Sequence, residues 1–110
     1  MKIRIDDFLT AEELGDIEKS NPVFAVIKDL NFLEVDELPF ESKRGKYELT
    51  LKMENEEEEI KWIANKTSLK NLRKVFGTEK DNWIGKKIKL WTVEQLVQGV
   101  EKRVLYAEAA

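Results

Sequence analysis

The sequence predicts a mainly β fold, a five-stranded barrel with one helix at about 66–76 between strands three and four and a short N-terminal helical turn. Three observations carry this. Tyr47, Leu49, Leu51 and Met53 alternate strictly with Lys46, Glu48, Thr50 and Lys52, the period-two pattern of a half-buried strand. Leu69, Leu72, Val75 and Phe76 recur at helical spacing, behind Asn65 or Thr67 as a cap and ahead of Gly77 as a stop. Apolar alternation then returns in two segments split by a turn near Gln98 and Gly99. The alternative arrangement is an open α+β sheet with the same helix packed on one face.

Each element follows from local chemistry. Thr10-Ala11-Glu12-Glu13 has the form of a capping box and predicts a helical turn over about 10–18. Val23, Phe24, Ala25, Val26 and Ile27 are apolar on both sides, and the pattern stays extended through NFLEVDEL. This predicts one long, bent strand over 22–37, ended by Pro39, with LPFESKRGK as a loop. The second strand turns at the acidic tip Glu54–Glu57 into a third, 58–64, with Ile60, Trp62 and Ala64 facing the core. The helix follows, and its opposite side, Lys66, Lys70, Arg73 and Lys74, reads as a solvated basic face. In the fourth strand Ile84, Ile88 and Leu90 face inward, and Gly85 permits a bend or bulge. Lys87, Lys89 and Trp91 then point outward together. The fifth strand spans about 101–108.

Composition narrows the function. A chain of 110 residues holds one domain with a single core, here residues 1–110. Apolar runs are too short to span a membrane, and the N-terminus lacks the pattern of a signal peptide. A cytoplasmic location and no membrane partner are expected. With no cysteine and no histidine, thiolate chemistry and the commonest general base and metal ligand are missing. No phosphate-cradling glycine loop, nucleophile elbow or zinc spacing occurs either. Glu56–Glu59 lacks the spacing of a calcium loop and reads as a soluble hairpin tip. The expectation is a non-enzymatic protein without cofactor or metal.

Charge is uneven along the chain. The first 60 residues carry 8 basic and 17 acidic side chains, whereas residues 61–110 carry 11 and 5. Residues 61–91 alone hold nine Lys/Arg against two acids, in a chain of net charge −3. That contrast permits one basic face beside an acidic one.

Three strands with a long curved first, a helix, then a hairpin is the element order of an OB-fold barrel. Asn65-Lys66-Thr67, Leu69, Leu72, Phe76-Gly77 and Trp83-Ile84-Gly85-Lys86-Lys87-Ile88 resemble the NKT…L…FG…WIGK pattern of small OB-fold proteins of phages and mobile elements. The first 60 residues show only a general likeness to archaeal replication-protein-A-like OB domains. The resemblance spans residues 65–88 and implies an OB-fold and nucleic-acid binding. Much of the pattern also has a structural explanation as cap, core and glycine stop.

A single strand of nucleic acid is held by cations along its phosphates and by aromatic faces under its bases. The residues expected to meet those needs are Lys87, Lys89 and Trp91 on the fourth strand and Lys61 on the third. Phe40, Lys43, Arg44 and Lys46 form a second group in the first long loop, which flanks the groove of OB-folds. The expected partner is single-stranded DNA or RNA with little sequence preference. A protein-interaction module or subunit is the competing reading, favoured by the net acidity, since phosphate binding relies on positive fields. Trp91 discriminates: an uncovered ring favours nucleic acid, a buried one an adaptor.

Overall fold

The computed structural model describes residues 8–38 and 40–110; Pro39, the expected strand terminator, and the first seven residues lie outside that range. Five strands form one antiparallel sheet: β1 (Val23–Leu33), β2 (Lys46–Met53), β3 (Glu59–Ile63), β4 (Lys87–Val97) and β5 (Val100–Ala109). Their order is β3-β2-β1-β4-β5. The sheet curls into a half-barrel, and the mainly β expectation with a helix between strands three and four holds. The described residues form two α-helices, α1 (Ala11–Leu14) and α2 (Lys66–Phe76). No helix among the described residues is long and apolar enough to cross a membrane.

Among the described residues no hydrogen bond joins the end strands β3 and β5. Instead α2 and its cap bond the edge of β5 at Leu105 and Ala107 with three side chains spaced three residues apart. Asn65 Nδ2 donates to the Leu105 carbonyl at 2.6 Å, and Ser68 Oγ accepts from the Ala107 N–H at 3.0 Å. Asn71 Nδ2 donates to the Ala107 carbonyl at 3.2 Å. An open strand edge is a template for aggregation, and here a polar helix stripe covers it. Asn65 is also the helix cap, its Oδ1 accepting from the Ser68 N–H at 2.9 Å. That decides between the two candidate caps.

The core lies inside the curl. Ile27, Leu49, Leu51, Leu72, Ile88 and Leu90 are fully buried there, joined by Trp62 and Trp83. Burial of each such side chain contributes roughly 1.5–3 kcal/mol. The chain ahead of β1 adds Leu9 and Ala11 to this core, and the Leu9 N–H bonds the Lys61 carbonyl beside β3.

Several boundaries differ from the sequence expectation for identifiable reasons. The first strand ends at Leu33, because Glu34 and Glu37 cap each other around a 3-10 turn, Val35–Glu37. Its bend is a bulge at Lys28, where the register shifts between Ile27 and Asp29. Asp29 stabilises the bulge: its carboxylate accepts from the Leu30 N–H, Lys80 and Asn31, which together hold its pKa below the ordinary 3.8. Helix α1 covers only Ala11–Leu14 and stops at Gly15, whose φ of 74° is in the left-handed region.

Four side chains depart from their expected burial. Ile84 is exposed rather than core, because a 3-10 turn over Lys80–Asn82 carries Trp83 inward instead. The Trp83 indole bonds the Gly77 carbonyl at 3.1 Å and meets Phe76 edge-on, so β4 begins only at Lys87. Val75 is exposed because its neighbour Phe76 takes the core contact of the last turn of α2. Tyr47 stands at the mouth of the curl and is largely exposed, while Glu48 on the other face is buried between β1 and β3.

Candidate nucleic-acid interface

The β4 face assembles as expected and is then closed. Lys87, Lys89 and Trp91 do share the outer face, and Trp91 lies outside the core cluster. Yet only 7% of Trp91 is exposed, which corrects the expectation of an open stacking platform. The strap Gly15–Lys19 covers it. Thr92 holds this strap with three bonds: its N–H donates to the Ile17 carbonyl, its Oγ1 accepts from the Ile17 N–H, and the same hydroxyl donates to the Gly15 carbonyl. Lys19 Nζ then sits 4.9 Å from the Trp91 ring centroid, with Tyr106 at 6.1 Å on the neighbouring strand.

The cations of that face are also engaged. Lys87 pairs with Glu54 at 3.5 Å and lies over the Phe24 ring, and Lys89 shares Glu108 with Lys19, both at 3.4 Å. Lys61 pairs with the buried Glu48 at 3.8 Å. Pairs whose two partners are both open to solvent, such as Lys87 with Glu54, contribute little stability, about 0–1 kcal/mol each, but all of these pairs neutralise the local field. A phosphate arriving here meets acids as well as lysines.

The loop group has the opposite character. Phe40 is 47% exposed and sits in a shallow depression with Val35 and Lys43. Lys43, Arg44 and Lys46 are exposed, and among the described residues none has an acidic group within 4 Å. Ser42 shapes the turn, its hydroxyl bonding both the carbonyl and the N–H of Arg44. The loop also carries Glu34, Asp36, Glu37 and Glu41, so its cations act by position rather than by net charge.

Beside this loop stands an aromatic pair that the sequence reading did not single out. Phe32 and Tyr47 meet edge-on at 5.0 Å, exposed at 48% and 43%. Gly45 makes room for them: a Cβ there would collide with the Phe32 ring and the Leu33 carbonyl. From Tyr47 a cleft of about 320 Å³ runs to α2, floored by Leu30, Leu69 and Trp83 and rimmed by Lys66, Lys70 and Arg73. Phe32 and Tyr47 thus lie between two groups of cations, one on the loop and one on the helix. The four cations of α2 were visible in the sequence, together with the absence of any acid over 66–76. Tyr47 was hidden because strict alternation assigned it to the core.

Among the described residues no cluster of acidic side chains is arranged to hold a metal ion. Comparison of the chain with protein-family models, curated proteins and solved structures finds no match.

Proposed function

We propose that this protein is an OB-fold-like, non-enzymatic binder of single-stranded DNA or RNA with little sequence preference. Its working surface is the band running from the β1–β2 loop across Phe32 and Tyr47 to α2. The observation that carries this reading is the exposed aromatic pair set between two groups of cations without acidic partners among the described residues. Stacking faces and phosphate contacts are the two requirements of sequence-tolerant single-strand binding. The strand order, with the helix between β3 and β4 spanning the gap to β5, supports the OB-fold reading. The NKT…FG…WIGK resemblance points the same way. On this reading Lys87, Lys89, Trp91 and Lys61 are peripheral, and Phe40, Lys43, Arg44 and Lys46 keep their place.

Fluorescence anisotropy with labelled oligonucleotides tests it. Tyr47→Ala and Phe40→Ala should each weaken binding by the value of one stacked base, about 1–3 kcal/mol. Lys43→Glu/Arg44→Glu should weaken it more than Lys87→Glu/Lys89→Glu. No binding at low salt, or a larger loss from the β4 pair, would sink the proposed surface.

A second reading, a protein-interaction module, is favoured by the closed Trp91 and by the β4–β5 hairpin. Its distal half extends beyond β1 and exposes Leu96 and Val100. A complex of defined composition, isolated with the wild-type chain and lost in Leu96→Ser/Val100→Ser, would establish that reading.

A further inference from the structure

Helix α2 holds more positive charge than its own stability accounts for. Lys66, Lys70, Arg73 and Lys74 occupy eleven residues without one acid, in a protein whose net charge is −3. Lys66 to Lys70 and Lys70 to Lys74 are like charges at i,i+4, which oppose helix formation. Lys66 also stands in the first turn, where the helix dipole is positive and no acid offsets it. An anion beside this face relieves each of these repulsions.

The face is not flat. Lys66, Lys70 and Arg73 rim the cleft whose apolar side is Tyr47, Leu69 and Trp83. Its volume of about 320 Å³ falls at the lower end of small-ligand clefts. Asp29, near the cleft, is already held by Lys80 at 3.1 Å. Three cations next to an exposed phenol ring match an occupant with a flat ring and a multiply charged anion. A phosphodiester inside a strand carries one negative charge. A terminal phosphate monoester carries about −1.5 to −2 at neutral pH, as phosphorylated side chains do.

We propose that this cleft holds the phosphorylated end of a nucleic-acid strand, the phosphate among Lys66, Lys70 and Arg73 and the terminal base against Tyr47. This rests on the single-strand reading above and adds end recognition to it. The band from the loop to Tyr47 takes the body of the strand, and the helix takes its end.

The test compares oligonucleotides of one sequence bearing a 5′-phosphate, a 3′-phosphate or hydroxyls at both ends, labelled internally. One phosphorylated form should bind at least fivefold more tightly than the unphosphorylated one, and Lys70→Glu/Arg73→Glu should abolish that difference. Lys86→Glu/Lys102→Glu, an equal change in net charge elsewhere on the surface, should lower all affinities together and preserve the difference. Lys70→Gln/Arg73→Gln removes like charges from the helix and adds none, so it should melt no earlier than wild type and also abolish the difference, and lost binding then reports contact rather than unfolding. Equal binding of all three oligonucleotides would overturn end recognition and leave single-strand binding standing. Failure of every oligonucleotide would remove both readings. Binding of a free nucleoside monophosphate without any strand would overturn this proposal in favour of a small-nucleotide site.

Discussion

Thr92 shows how one side chain decides whether a surface is open. Its hydroxyl serves two backbone groups of the strap at once, the Ile17 N–H at 2.9 Å and the Gly15 carbonyl at 2.8 Å. Thr92→Val keeps the shape and removes both bonds, leaving a part-buried donor and acceptor without partners. The expected cost is about 1–3 kcal/mol in urea unfolding, with Ile17 amide exchange accelerated and Trp91 emission shifted to the red. Thr92→Ser should retain most of the stability. An unchanged midpoint for the valine variant would mean that the two hydroxyl bonds contribute nothing to holding the strap. Neither partner of Thr92 lies near it in sequence, so its role was not legible there. Trp91, by contrast, was correctly read as lying on the outer face of its strand. Its covering was invisible because the strap is 72 or more residues away.

At the scale of the element, α2 does three jobs with three faces. Leu69, Leu72 and Phe76 pack on the core, as their spacing indicated. Asn65, Ser68 and Asn71 close the edge of β5, and the basic residues rim the cleft. The middle face was unreadable beforehand, because a serine or asparagine in a helix is more often solvated than bonded to a distant strand. Ser68 is fully buried, and its hydroxyl is the partner that the structure gives the Ala107 N–H. Ser68→Ala should therefore cost about 1–3 kcal/mol, far more than a surface serine, and expose the Ala107 amide to exchange. A loss below half a kilocalorie would show that the edge is held by packing instead.

For the whole molecule, the question is how a protein of net charge −3 attracts phosphate. Segregation is confined to α2, which carries four cations and no acid, whereas the β1–β2 loop mixes Lys43 and Arg44 with Glu34, Asp36, Glu37 and Glu41. The ion pairs on the outer faces of β3, β4 and β5 cancel locally, and Lys43, Arg44, Lys46, Lys66, Lys70 and Arg73 are left around the aromatic pair. If all six contact phosphates, the plot of log K against log salt should have a slope of about −4, from −0.7 per contact on a single strand. Removing Lys43 and Arg44 should bring it to about −3. A slope near zero would argue for a protein partner recognised through apolar contact. Exposed Leu96 at the tip of the β4–β5 hairpin is then the first residue to examine.

The sequence by itself determined the element types, their order and most of the core, because alternation, helical spacing, caps and glycine stops are local signals that burial enforces. It also located the basic loop and the charged helix face. Tertiary structure alone decided which cations are free and which rings are exposed, since both depend on what the curled sheet brings alongside. Glu54 from the β2–β3 turn, and Glu108 and Glu48 from neighbouring strands, neutralise the expected lysines, and a strap distant in sequence seals Trp91. Tyr47 moved the other way, from expected core to the open mouth of a cleft, because it stands where the curl ends.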